Sequence, residues 1–162
     1  MACMATKEQF QQLLQPILDA LATLDPDQPD AAAHLAAAFP IDSPAVQQLA
    51  EMFAAGVAEG WLCHRQGGPG VTYSRVLKAT EPGQLSIDAV RMDCPGPGHT
   101  HPNGEFDLCF AVSGEPLFDG RPPGWTVYPT GSWHVPTVTG GTMNILYFLP
   151  GGAIQFGPRT DP

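Results

Sequence analysis

The chain has 162 residues, of which 43% are hydrophobic and 14% charged, which suffices for one domain with a buried core but not for two full domains. Sixteen acidic and seven basic side chains give a formal charge of −9, and no cluster of Lys or Arg is present, so nucleic acid and anionic membranes are excluded as expected partners. The sequence has no apolar run as long as a membrane span and no secretion signal at its N-terminus, so we expect a cytoplasmic protein with reduced thiols at Cys3, Cys63, Cys94 and Cys109.

Three helices are predicted in the first 66 residues. Apolar side chains fall on one helical face over residues 6–24, and Thr6 with Gln9 fits a capping box. Pro16 lies inside this segment and is expected to kink the helix or split it in two. Residues 30–39 are rich in Ala, and Ser43 followed by Pro44 predicts the start of a third helix that reaches about residue 59. We predict that residues 1–60, within an N-terminal helical segment of residues 1–66, form a helical layer that supports a homodimer and supplies no catalytic group.

From residue 67 onwards the pattern changes to the alternation that is typical of β-strands. Strands are predicted at residues 71–77, 85–92, 105–112, 125–128 and 142–149. Gly and Pro mark turns between them, among which are residues 113–114 and 140–141. Short strands with such turns indicate an antiparallel sandwich or barrel. The sequence therefore predicts a mainly β protein, with a β-barrel at residues 67–162 and an N-terminal helical segment.

Four side chains in the β region could converge on one point. His99 and His101 are two residues apart, so on an extended strand both imidazoles point to the same side. Glu105 follows after a turn, and His134 follows a second turn rich in Pro and Gly. Imidazole and carboxylate ligands together suit a divalent transition metal such as Fe, Mn, Zn or Ni rather than Ca or Mg. A metal-free site in which these groups act as acids and bases is the alternative, and Glu105 could then be the general acid–base group.

The two segments that carry these residues resemble the motifs of a known family of β-barrels. The segment PGHTHPNGE at residues 97–105 resembles the first cupin motif, and PTGSWH at residues 129–134 resembles the second. The resemblance covers about half of the chain. It implies a cupin-like antiparallel barrel, or jelly roll, with a metal bound by His99, His101, Glu105 and His134.

A narrower resemblance extends over almost the whole chain. The segments GWLC (60–63), GPGV (68–71), SIDAVRMD (86–93), FDGRPPGW (118–125) and LPGGAI (149–154) are similar to the 4-hydroxylaminobenzoate lyases of nitrobenzoate catabolism. The resemblance implies an ammonia-releasing lyase that converts 4-hydroxylaminobenzoate to 3,4-dihydroxybenzoate (protocatechuate). Such an enzyme takes a small aromatic carboxylate and needs no nucleotide cofactor.

A flat aromatic carboxylate needs a cation and apolar walls. Arg75 and Arg91 lie on predicted strands, and a guanidinium fork is the usual partner of a carboxylate. We expect Arg75 to bind the carboxylate, with Arg91 as the second choice. Candidates for the stacking walls are the aromatic side chains of the β region: Tyr73, Phe110, Trp125, Tyr128, Trp133 and Tyr147. Two other functions stay open, a cupin dioxygenase or isomerase acting on another aromatic or sugar acid, and a non-enzymatic cupin that binds a small carboxylate.

Overall fold

A computed structural model describes residues 5–159, in which three helices precede nine strands. The helices are α1 (Lys7–Leu21), α2 (Ala31–Ala38) and α3 (Pro44–Glu59). The strands are β1 (Arg65–Gln66), β2 (Val71–Leu77), β3 (Leu85–Met92), β4 (His99–His101), β5 (Glu105–Phe118), β6 (Gly124–Tyr128), β7 (Ser132–His134), β8 (Val138–Pro150) and β9 (Gln155–Phe156). None of the three helices is long and apolar enough to cross a membrane.

The helix ends follow the capping residues of the sequence. The Thr6 hydroxyl accepts the Gln9 N–H at 3.2 Å, and the Gln9 side chain accepts the Thr6 N–H at 3.0 Å, so the predicted capping box is confirmed. Ser43 caps α3, with Pro44 as its first residue. Helix α1 continues through Pro16, so of the two predicted effects, a kink or a split, the split does not occur. Pro16 is exposed, and the carbonyl that loses its intrahelical partner there can be hydrated.

All strand pairs are antiparallel, and they form two sheets. The larger sheet has six strands in the order β1-β2-β3-β8-β5-β6, and the smaller has three in the order β7-β4-β9. The predicted antiparallel β class is confirmed, with hydrogen bonding divided between two sheets. The list of predicted strands lacks the short strands β1, β4, β7 and β9, which are two or three residues long and too short to show an alternating pattern.

The larger sheet separates two cores. Side chains of β3, β5 and β8 that point to one side pack with the three helices, for example Ile87, Phe106 and Phe148 against Phe10 and Phe53. The alternate side chains of the same strands point to the other side and form a second core with Val71, Phe118 and Val138. Because neighbouring residues of a strand face opposite sides, Glu105 shares the second side with Cys109, facing the smaller sheet.

Glycines allow β5 and β8 to run further than predicted. The expected turns at residues 113–114 and 140–141 are wrong, because both pairs lie inside the β5–β8 ladder, where the register shifts. A Cβ on Gly141 would lie 1.9 Å from the Ser113 carbonyl oxygen, and one on Gly114 would lie 2.4 Å from that of Gly140. These glycines therefore allow a close backbone approach within a bulged ladder rather than a chain reversal.

The cysteines agree with the expectation of free thiols in the part of the chain that the structure describes. Cys63, Cys94 and Cys109 are unpaired, and Cys109 is buried in β5 as predicted. Cys3 lies outside the described residues.

Candidate metal centre

The four predicted ligands come from three neighbouring strands. In the smaller sheet, His99 of β4 lies directly across from His134 of β7. The chain then turns through residues 102–104 into β5, whose first residue is Glu105. Gly104 makes this turn at φ 83°, and a Cβ there would lie 2.7 Å from Pro26. The turn therefore requires glycine, and it brings the carboxylate back to the imidazoles.

The ligand atoms of these residues form a tight cluster. They all lie within 4.8 Å of one another. The Nε2 of His101 is 3.0 Å from one carboxylate oxygen of Glu105, and the Nε2 atoms of His99 and His134 are each 3.8 Å from an oxygen of the same carboxylate. His99, His101 and Glu105 are almost fully buried. The predicted convergence of the four residues is therefore observed.

The Nδ1 atom of each histidine has a hydrogen-bond partner on the side of the ring that faces away from the cluster. The Nδ1 of His99 faces the Pro97 carbonyl at 3.1 Å, and that of His101 faces the Ser132 hydroxyl at 2.9 Å. This hydroxyl donates its own proton to the Pro129 carbonyl at 2.6 Å, so it accepts from His101. The Nδ1 of His134 faces the Asp119 carboxylate at 2.7 Å. All three partners are acceptors, so each Nδ1 carries a proton and each Nε2 points into the cluster, where a metal ion could replace any proton on it.

A cation fits this arrangement. The Nε2 atoms of His99 and His134 are 3.1 Å apart, a separation that two ligands of one ion can have. Neither oxygen of Glu105 has a hydrogen-bond partner within the described residues, although both are buried. Ligands that bind one ion at about 2.0–2.2 Å lie roughly 3.0–3.6 Å apart, which is close to the separations seen here. A divalent ion would supply the missing partner to every one of these atoms.

The two buried carboxyl groups of β5 differ in their charge. Burial alone would raise the pKa of Glu105, but the imidazoles of His101 and His99 outweigh it and lower that pKa. Burial, together with the charge of Glu105, raises the pKa of Asp107 well above its usual value. These shifts favour the ionised form of Glu105 and the protonated form of Asp107.

A cavity of about 890 Å³ opens beside His99. Four of the chain's seven basic side chains line it, namely Lys7, Arg65, Arg75 and Lys78. The apolar part of its wall includes Val71, Tyr73, Val90, Met92, Tyr147, Ile154 and Phe156. The cavity wall therefore combines basic side chains with one histidine of the cluster, in a protein of strongly negative net charge.

The two candidate arginines lie on opposite sides of the larger sheet. Arg75 lines the cavity, and its Nε donates a hydrogen bond to Asp88 on the neighbouring strand. Arg91 alternates with Val90 and Met92, which line the cavity, so it faces the other side of β3, where its charge acts on Cys63. The structure thus separates Arg91 from the cavity that Arg75 lines, because strand register decides the face of each residue.

The aromatic side chains that were candidates for the substrate walls lie in different parts of the structure. Tyr73 and Tyr147 line the cavity, whereas Phe110 and Trp125 pack in the core beside the helices. Tyr128 packs against the ligands instead, with ring centroids 5.2 Å from His101 and 4.2 Å from His134. Trp133 donates its indole N–H to the Gly157 carbonyl at 3.0 Å.

Sequence reasoning missed several residues of this region. Phe156 is 62% exposed, lines the cavity, and lies 5.6 Å from the His99 ring. Lys7 reaches the cavity from the helical segment, from which no site residue was expected. Asp119 binds His134. Asp119 precedes Gly120 between two strands, a turn signal, but no local pattern indicates that such a turn folds back onto a histidine fifteen residues later.

Comparisons with known proteins show which family the chain resembles over most of its length. A family model described as PnbB, 4-hydroxylaminobenzoate lyase, matches residues 12–156. The 4-hydroxylaminobenzoate lyase of Pseudomonas putida is 31% identical over 133 residues, which cover 71% of this chain and 76% of that protein. The protein of the same name from Nocardioides sp. (strain LMS-CY) is 32% identical over 120 residues, covering 68% and 71%.

Among solved structures, the fold is similar to one described as crystal structures of the DMSP lyases RdDddP and RnDddQII. The TM-score is 0.54 at 14% identity, and the match covers 94% of this chain and 97% of the other. This likeness concerns the fold alone.

Proposed function

Because this chain belongs to the 4-hydroxylaminobenzoate lyase family, we propose that it converts 4-hydroxylaminobenzoate and one water into 3,4-dihydroxybenzoate (protocatechuate) and ammonia during nitrobenzoate degradation. The protein is an enzyme, a lyase with a cupin fold. The N–O bond breaks, ring carbons 3 and 4 each end with a hydroxyl group, and the nitrogen leaves as ammonia. Reduction of the N–O bond offsets oxidation of the ring, so the balanced reaction consumes neither O₂ nor a nucleotide cofactor.

We propose that His99, His101, Glu105 and His134 hold one divalent transition-metal ion, with Fe, Mn, Zn and Ni as the candidates. The convergence of one carboxylate and three Nε2 lone pairs supports this proposal. A bound ion would supply Lewis-acid activation of the hydroxylamino oxygen or of a water molecule. Glu105 is ionised beside this position, so it can serve as a ligand or accept a proton from the reacting water at its carboxylate oxygens.

The cavity beside His99 supports a site for the whole substrate. Arg75, Asp88 and Tyr147 are cross-strand neighbours in one row of the larger sheet, and each strand adds about 4.8 Å. Arg75 therefore lies two strands from Tyr147, whose ring is 6.4 Å from that of His99. A para-substituted benzoate spans a comparable length, so it can place its carboxylate at Arg75 and its hydroxylamino group near the metal ligands.

We assign the carboxylate contact to Arg75. The Nε of Arg75 donates to Asp88. Neither Nη group has a hydrogen bond or ion pair within residues 5–159, so both can bind the two oxygens of a carboxylate. Tyr73 and Tyr147 form walls for the ring, and Phe156 closes the cavity beside His99. Tyr128 supports the histidines from behind. The observation that carries the assignment is that four basic side chains and His99 line the same cavity.

The homodimer and the cytoplasmic location stay predictions. The apolar face of α1, which suggested a dimer, is buried against the larger sheet of the same chain through Phe10, Leu14 and Ile17. Light scattering on the purified protein measures the mass in solution and decides whether a dimer forms.

The function is tested by product analysis under anaerobic conditions. Purified protein of known metal content is incubated with 4-hydroxylaminobenzoate, and protocatechuate and ammonia are measured separately. We expect both products in equal amounts without O₂. A strict need for O₂ would favour a dioxygenase, and binding of the substrate without turnover would favour a carboxylate-binding protein; either result refutes the proposal.

A further inference from the structure

Asp119 lies at the tip of the turn between β5 and β6 and reaches back to the metal centre. The turn is closed by two hydrogen bonds between Phe118 and Arg121, of 2.8 and 2.9 Å. Asp119 itself has φ 49°, a left-handed conformation that Asp and Asn tolerate better than most residues. One of its oxygens accepts the backbone N–H of Thr137 at 2.8 Å. The position and direction of this carboxylate are thus fixed by backbone as well as by side chains.

The second oxygen of Asp119 has two donors. It accepts the Nδ1–H of His134 at 2.7 Å and the hydroxyl proton of Tyr128. Tyr128 in turn packs against both His134 and His101, and the Arg121 guanidinium lies 5.8 Å from the centre of its ring. The carboxylate, the phenol and the imidazole therefore form one connected group behind the metal centre.

His134 differs from the other two histidines in the way it is held. The Nδ1 atoms of His99 and His101 face uncharged acceptors, a carbonyl and a hydroxyl. His134 is also the least buried of the three, with 11% of its side chain exposed against 2% and 0%. His134 is thus the histidine that has a charged acceptor behind it, and a charge-assisted hydrogen bond orients a ring more strongly than a neutral one.

We infer that Asp119 is a positioning residue, which fixes the ring and the tautomer of His134 so that its Nε2 is available to a metal ion. Tyr128 and the Thr137 N–H hold the carboxylate in place for this role. The inference rests on the metal centre proposed above. A carboxylate behind a histidine ligand also increases the electron density on its Nε2, and removing such a partner commonly weakens metal binding by about 10–100-fold.

The test measures metal affinity rather than activity. Chelator-stripped protein is titrated with Zn²⁺ against a chromophoric chelator, and with Co²⁺, whose visible absorption reports the ligand geometry. Asp119→Asn should bind Zn²⁺ about tenfold more weakly, and Asp119→Ala up to about 100-fold more weakly. Asp88→Asn is the matched control, because Asp88 also lies on the metal-centre side of the larger sheet but bonds to Arg75. We expect its affinity to stay within about threefold of wild type.

A second measurement needs no variant and no metal. Long-range ¹H–¹⁵N spectra of the stripped wild-type protein identify which ring nitrogen of each histidine carries the proton. We expect the Nδ1–H form at His134, and a mixture of the two tautomers in Asp119→Ala. The Nε2–H form at His134 in the wild type would overturn the inference even if the variants fail to fold.

The outcomes separate this inference from the proposals on which it rests. Equal Zn²⁺ affinity of folded Asp119→Asn, Asp119→Ala and wild type overturns the role of Asp119 and leaves the metal centre intact. A wild type that binds neither ion overturns both the metal centre and the role of Asp119. The lyase activity is judged independently of either result, by ammonia release.

Discussion

Replacing Arg75 with Ala should weaken binding of 4-hydroxylaminobenzoate, because Arg75 is the residue to which we assign the substrate carboxylate. A charge-assisted hydrogen-bonded pair contributes about 1.5–3 kcal/mol when it is shielded from water. The Arg75 side chain is 46% exposed, and water screens a charge at such a position. We therefore expect a loss of about 1–2 kcal/mol, which raises KM roughly 5- to 30-fold.

The ion pair between Arg75 and Asp88 also affects the size of this loss. Burial raises the pKa of Asp88, and the Arg75 guanidinium works against that rise. Truncating Arg75 leaves Asp88 without its partner in the cavity wall, so any negative charge on Asp88 repels the incoming carboxylate without compensation. The double variant Arg75→Ala, Asp88→Asn removes this repulsion and should recover part of the loss. Arg75→Lys should also recover only part, since an ammonium cannot form the bidentate fork.

The assay compares two substrates as well as several variants. KM and kcat are measured with 4-hydroxylaminobenzoate and with phenylhydroxylamine, which has the same reacting group but no carboxylate. The Arg75→Ala effect should be present with the first compound and absent with the second. Arg91→Ala is the matched control on the other side of the sheet and should leave KM unchanged with both. An unchanged KM for 4-hydroxylaminobenzoate in folded Arg75→Ala, or an equal loss with both compounds, would refute the assignment.

Three further perturbations test the site and the sheet. His101→Ala should lose the bound metal, because it removes a fully buried ligand; elemental analysis that finds the same metal content as wild type would contradict the ligand set. Asp107 has a raised pKa, so above pH 3.8 the unfolded chain releases a proton that the folded chain keeps, and stability falls as pH rises. In chelator-treated protein, Asp107→Asn should therefore gain stability relative to wild type between pH 5 and pH 7.5 in thermal melts; a pH-independent difference would count against the buried proton. Gly141→Ala should lower the free energy of unfolding by at least about 2 kcal/mol, because the new Cβ meets the Ser113 carbonyl. Gly120 also has a left-handed φ but open space around it, so Gly120→Ala should lower this free energy by only about 1–2 kcal/mol. Equal losses in the two variants would show that close backbone approach is not what requires glycine at position 141.

The convergence of the four residues could be predicted from sequence because its geometry is largely local. His99 and His101 are two residues apart on one strand, and Glu105 follows after one turn that requires glycine at position 104. Such short segments fix the direction of their side chains with little help from the rest of the fold. His134 is more distant in sequence, but the resemblance to a second motif indicated it.

The surroundings of the site depend on register and on contacts between distant segments. Arg75 and Arg91 both lie on correctly predicted strands, and only the pairing of β2 with β3 shows which one faces the cavity. Phe156 reaches the site through a two-residue strand that pairs with β4, and Asp119 reaches it from the end of a hairpin. Neither position has a local pattern that distinguishes it from an ordinary turn or terminus.

The same limit explains the errors in the sheet. Gly-Gly at residues 140–141 is a turn signal when it is considered alone. Its role within a bulged ladder appears only with Gly114 and Ser113 on the facing strand. Pro16 is similar, because its effect on α1 depends on whether its side of the helix faces solvent or the core.

The central claim, that the histidine–glutamate cluster holds a metal ion that the lyase reaction requires, is tested most directly by ammonia release from one preparation in three states. Protein as purified, protein stripped by chelator, and stripped protein reloaded with each candidate metal are assayed anaerobically with 4-hydroxylaminobenzoate. We expect ammonia and protocatechuate from the first, almost none from the second, and recovery in the third with about one ion per chain. Full ammonia release by stripped protein, with metal absent by elemental analysis, would contradict the claim.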